Sequence, residues 1–94
     1  MTTGYTKFVP INLKAVVTSV DLVAKQVSTD IFFQGSWIAA LTINLTENTI
    51  HKIGSFDEVN KQFGLNEEFI VMRIQDRVVS IIENGTTNPK DFPI

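Results

Sequence analysis

Ser55 to Ile82 reads S-F-D-E-V-N-K-Q-F-G-L-N-E-E-F-I-V-M-R-I-Q-D-R-V-V-S-I-I. How this run folds decides the architecture. Its first part carries helix signals at both ends. Ser55 is suited to cap a helix, and Glu58, three residues on, has capping-box spacing. Asp57 and Glu58 suit the positive end of the helix dipole, and Lys61 suits the negative end. Phe56, Val59 and Phe63 fall on one face. Gly64 supplies the left-handed stop, with Leu65 folding back onto Val59. A helix of about two turns, roughly 12 Å long, is unstable alone. Its apolar face therefore needs a sheet to dock on.

The rest of the run is rich in β-branched residues, which predicts two strands, Phe69 to Ile74 and Arg77 to Ile82, turning at Gln75-Asp76. Gln75-Asp76 lacks the glycine of the best hairpin turns, so one long bent strand is the alternative. Read as strands, both faces are partly apolar, whereas a half-buried antiparallel strand alternates cleanly with polar residues. That surplus calls for a second layer, supplied by another subunit. Phe33, Val71, Val78 and Ile82 are the expected interface residues.

Upstream, Asn12 to Val27 carries two patterns. Leu13, Val16, Val17, Val20, Ala24 and Val27 recur at helical spacing, with Lys14, Thr18, Asp21 and Lys25 opposite. Ile11, Leu13, Ala15 and Val17 also alternate, and valine prefers strands. The period favours a helix; the strand reading would make the protein nearly all-β. Asp30 to Phe33 reads as a strand, Gln34-Gly35-Ser36 as a turn, Trp37 to Leu45 as the longest strand, Thr46-Glu47-Asn48 as a turn and Thr49 to Ile53 as the return strand. Tyr5 to Val9 reads as a short edge strand stopped by Pro10. The expected fold is a small α+β domain over 1–94, a single antiparallel sheet with one or two helices on one face. The ends, 1–4 and 86–94, read as flexible tails.

Composition narrows the function classes. An apolar fraction of 44% and a charged fraction of only 19% in 94 residues describe a globular chain with few charges to cover its outside. A net charge of −2 argues against duplex nucleic acid and anionic membrane surfaces. The chain contains no cysteine, so it has neither disulfides nor thiolate metal ligands. No basic, apolar leader pattern opens the sequence, and no apolar run approaches the ~18 residues of a membrane span. A cytoplasmic protein is the expectation.

Chemistry-bearing signals are sparse. No phosphate-loop, dinucleotide-binding or nucleophile-elbow motif occurs. His51, the single histidine, lies in a predicted strand with no carboxylate fixed beside it. No calcium loop or zinc spacing is present, so no metal or cofactor is expected. Arg73 and Arg77, with Lys52 near, have the charge to hold a phosphate or carboxylate, and Trp37 the surface to stack on an aromatic ring.

The sequence therefore predicts a small non-enzymatic protein-interaction module. It is of accessory, regulatory or inhibitor type, the kind viruses and mobile elements encode, and acts as a homo-oligomer through an apolar sheet surface. The alternatives are a binder of a small anionic or aromatic ligand through Arg73, Arg77 and Trp37, and a structural component of a virion or other assembly.

Overall fold

A computed structural model describes residues 12–94. The strand expected at Tyr5 to Val9 and the 1–4 tail lie outside the described residues. The chain runs β1 (Leu13–Asp21), β2 (Gln26–Phe33), β3 (Ser36–Asn44), β4 (Thr49–Gly54), α1 (Asp57–Phe63), α2 (Glu67–Glu83) and β5 (Phe92–Pro93). The strands form one antiparallel sheet in the order β4-β3-β2-β1-β5. The fold is α+β, as expected, but two segments exchange their expected roles.

Asn12 to Val27 is not a helix. It forms β1, a turn, and the start of β2. The Asp21 carboxylate accepts from the backbone N–H groups of Val23 and Ala24, at 3.1 and 3.0 Å. Lys25 takes a positive φ of 56°, which completes the reversal. An aspartate that binds its own backbone nucleates a turn rather than a helix. The alternation of Leu13, Ala15 and Val17 was the true signal. Leu13 and Ala15 are buried, and Val17 packs against the core.

Phe69 to Ile82 is not a pair of strands. It is the body of α2, a helix of 17 residues, and Gln75-Asp76 lies in its interior. Asn66 caps it, its side-chain oxygen accepting from the Phe69 N–H at 2.8 Å. Glu67 and Glu68 occupy the first turn, where the dipole favours them. Ile70, Ile74, Val78 and Ile81 recur at helical spacing, and all are buried. Rolled into a helix, these residues share one face, so the surplus that called for a second subunit disappears into the chain's own core.

The other predicted elements fall where expected, with β2 reaching back to Gln26. Helix α1 forms, though its start differs in detail. Phe56 holds the cap position without a side-chain bond, and the Ser55 hydroxyl accepts from the Asp57 N–H at 3.1 Å. Glu58 binds Gln62 one turn on instead of reaching back. Gly64 ends the helix at φ 69°, its N–H donating to the Asn60 carbonyl.

The core lies between one sheet face and the helices. Val27, Thr29, Ile31 and Phe33 of β2 form its centre, flanked by Ala39, Leu41 and Ile43 of β3. The Phe33 ring meets the Phe63 ring edge to face, 5.7 Å between centroids. Thr29 satisfies its buried hydroxyl by donating to the Leu41 carbonyl at 3.4 Å. At the far edge, Ala15 of β1 pairs with Phe92 of β5. Phe92 is buried, so part of the segment expected as a tail packs on its own sheet.

Candidate interaction surface

The sheet has a covered face and an open face. Alternation along β2 turns Gln26, Ser28, Asp30 and Phe32 away from the helices. Cross-strand pairing aligns Val16, Asp30, Ala40 and Ile53 in one row across four strands. A second row joins Lys14, Phe32 and Trp37, and a third joins Ser28, Thr42 and His51. The Trp37 indole N–H donates to the Asp30 carboxylate at 3.2 Å, which fixes the ring on this open side. His51 is exposed and faces the same side.

The two sheet edges are unlike. On one side β5 is only two residues long and ends in Pro93. On the other, all six residues of β4 are exposed. Ile50 pairs with Ile43 and points to the helix side, and Ile53 pairs with Ala40 and points to the open side. A groove of about 330 Å³ runs between β4 and α2, with Leu41, Ile50, Val71 and Met72 among its walls. Lys52 crosses it to form an ion pair with Glu67.

Six large apolar side chains lie in solvent among the described residues. Ile50 and Met72 line this groove, Ile53 lies on the open face of β4, Phe69 on the outer flank of α2, and Val23 and Trp37 elsewhere. Ile50 is 44% exposed, Ile53 57%, Phe69 43% and Met72 53%. Phe69 and Met72 stand three residues apart on α2, so they are neighbours on the helix surface.

A second cleft, of about 420 Å³, lies between α2 and β5. Arg73, Asp76, Arg77 and Ser80 line one side, and Phe92 and Pro93 the other. The Arg77 guanidinium sits 4.9 Å from the centre of the Phe92 ring. Among the described residues neither arginine has a carboxylate within 4.0 Å.

The residues singled out in the sequence separate accordingly. Arg73 and Arg77 share the α2–β5 cleft, one helical turn apart. Trp37 lies across the sheet on its open face, so the three do not form one site. Lys52 belongs to the β4 groove, not to the arginine cleft. Phe33 and Val78 are buried in the core and do not belong to any exposed surface, whereas Val71 and Ile82 are half-buried flanks of α2. Phe33 is buried by the alternation along β2, and Val78 by the helical period that the strand reading of α2 hid. The exposed apolar set, Ile50, Ile53, Phe69 and Met72, was missed. Its signal was present in β4, where Ile50 and Ile53 are separated by an odd number and must face opposite sides.

Among the described residues no cluster of three or more histidines, aspartates or glutamates has metal-binding geometry, and no helix is long and apolar enough to cross a membrane. No family model, curated protein or solved structure gives a significant match to this chain.

Proposed function

We propose that this chain is a small non-enzymatic protein-interaction module that works as a homo-oligomer. One observation carries the reading: Ile50 and Met72, 44% and 53% exposed, both line the groove where β4 meets α2, and Ile53 is exposed on the other face of the same strand. Single exposed apolar residues are ordinary, but a cluster bordering a groove and an open strand is the signature of a contact surface. Full burial of each is worth roughly 1.5–3 kcal/mol. A few such residues from each copy support a specific contact once the cost of association is met. The test is solution mass by light scattering across a range of concentrations. A dimer or larger species is expected; a monomer of 10.5 kDa at every concentration overturns the reading.

A second reading has its own observation. Arg73 and Arg77 face one cleft with Ser80, and the Phe92 ring orients Arg77. Two guanidinium groups one turn apart suit a small phosphate or carboxylate ligand. Inorganic phosphate raises the melting temperature in this reading, and an Arg73→Ala, Arg77→Ala double variant loses that response.

A further inference from the structure

We infer that β4 pairs edge to edge, antiparallel, with β4 of a second copy around a two-fold axis centred on His51. This rests on the proposed self-association and specifies its geometry.

The two ends of the sheet are protected to different degrees. An edge strand presents a row of unpaired backbone groups that invites another strand, and proteins blunt such edges with short strands, proline or charge. β5 is blunted in two of these ways, by its two-residue length and by Pro93, which has no N–H to offer. β4 has neither device. Its six residues contain no proline, and its register against β3 runs without a bulge from Thr49 to Gly54. Its one guarding charge, Lys52, is drawn across the groove to Glu67. A strand added here meets apolar side chains on both faces, Ile53 on the open side and Ile50 with Met72 on the helix side.

A second copy fits this edge better than an unrelated strand, because the edge is self-complementary. Two identical edges related by a two-fold axis pair antiparallel, and each supplies the apolar groups that cover the other. The β4 edges are then consumed and, among the described strands, the blunt β5 edges remain outside, so the assembly closes as a dimer rather than growing into a fibre. Both α2 helices lie on the same side of the joined sheet, so the groove walls Ile50 and Met72 of both copies border the seam.

The register is restricted as well. Directly opposed residues in an antiparallel pair share a face. The axis must therefore pass between a residue and its own copy, not between sequence neighbours. Centring on Lys52 sets two ammonium groups opposite each other, which is unfavourable. Centring on Ile50 or Ile53 runs the pairing off the strand. Centring on His51 pairs Ile50 with Lys52 and Thr49 with Ile53, keeps like charges apart, and uses the strand from Thr49 to Ile53.

The absence of cysteine makes the test direct. Single-cysteine variants of the full chain, T49C, I50C, H51C, K52C and I53C, are oxidised and resolved on a non-reducing gel, beside light scattering of each reduced variant. Phe32→Cys and Phe69→Cys report on the open face and on the outer side of α2. Opposed Cα atoms in an antiparallel pair are about 4.5–5.5 Å apart, within disulfide range. H51C is expected to give several-fold more disulfide-linked dimer than its neighbours. A maximum at Ile50→Cys or Lys52→Cys supports the edge and overturns the His51 register. A dimer by light scattering that links only through Phe32→Cys or Phe69→Cys overturns the edge and leaves self-association standing. A monomer throughout overturns both.

Discussion

The carbonyl of Ile38 lies against Gly54 so closely that no side chain fits between them. Ile38 is the extra residue of a bulge, since Ile31 pairs with Ala39 while Phe32 pairs with Trp37. Its carbonyl accepts from the Ser55 N–H at 3.1 Å. A Cβ on Gly54 would run into that oxygen and sit 2.7 Å from the Ala39 Cα, both rigid backbone atoms. Gly54 also holds φ at 94°, a conformation that residues with a Cβ rarely adopt. The bulge and the glycine together steer the chain out of the sheet and into α1.

Gly54→Ala is therefore expected to destabilise the fold by about 2–3 kcal/mol, combining strain with a backbone clash. Gly85→Ala is the control: φ is 66°, but the space around it is open, so only the conformational cost of roughly 1–2 kcal/mol applies. Urea denaturation of both variants should give the larger loss at Gly54.

Asn66 holds the start of α2 through the Phe69 N–H. Removing the cap with Asn66→Ala should cost about 1 kcal/mol. A lowered denaturation midpoint with an unchanged slope would mark a loss of stability alone.

Phe92 seals the sheet beside β1 and receives Arg77 on its ring. Phe92→Ala should cost about 3 kcal/mol or more through the cavity it leaves. Arg77→Ala should cost only about 0.5–1 kcal/mol, because its cation–π contact is solvent-exposed. Thermal melts of the two variants should rank in that order.

Val78 and Ile53 separate folding from association. Val78 is fully buried, so Val78→Asp puts an unpaired charge in the core and should abolish cooperative unfolding. Ile53 is in solvent in the single chain. Ile53→Lys should leave the circular dichroism spectrum intact and change monomer stability by less than about 0.5 kcal/mol. Light scattering should then show the assembly shifted toward monomer.

The legibility of this fold depended on where each residue's partner lies in the sequence. The stop at Gly64, the turn at Gln34-Gly35-Ser36 and the strand from Trp37 rest on signals within a few residues, and these were readable. Residues 12–27 are rich in valine and 69–82 in isoleucine and valine, and both fit either period in part. Side-chain preference drew β-branched α2 toward strands, whereas in the valine hairpin an accidental helical period outweighed that same preference. Better weight on Asn66-Glu67-Glu68 as a helix start, and on Asp21 as a turn former, would have corrected them. Of the surface residues, Trp37 alternates in sequence with the buried Ala39, Leu41 and Ile43, and only the bulge at Ile38 turns it to the open face. Arg73 and Arg77 are close as expected, but across one helical turn rather than a hairpin. The β4–α2 groove joins residues far apart in the chain, and nothing local announces it.

By itself the sequence determined the composition class, the capacity for one small core, the turns at 34–36 and 46–48 and the short helix, because these follow from local backbone preference and the total of apolar side chains. Tertiary structure decided which apolar stripe faces inward. Ile70, Ile74, Val78 and Ile81 become one buried face only because a sheet lies beneath them. Among the described residues the same packing puts β4 at one edge of the sheet and β5 at the other. Burial depends on what lies across the core, and that is a property of the folded chain rather than of any stretch within it.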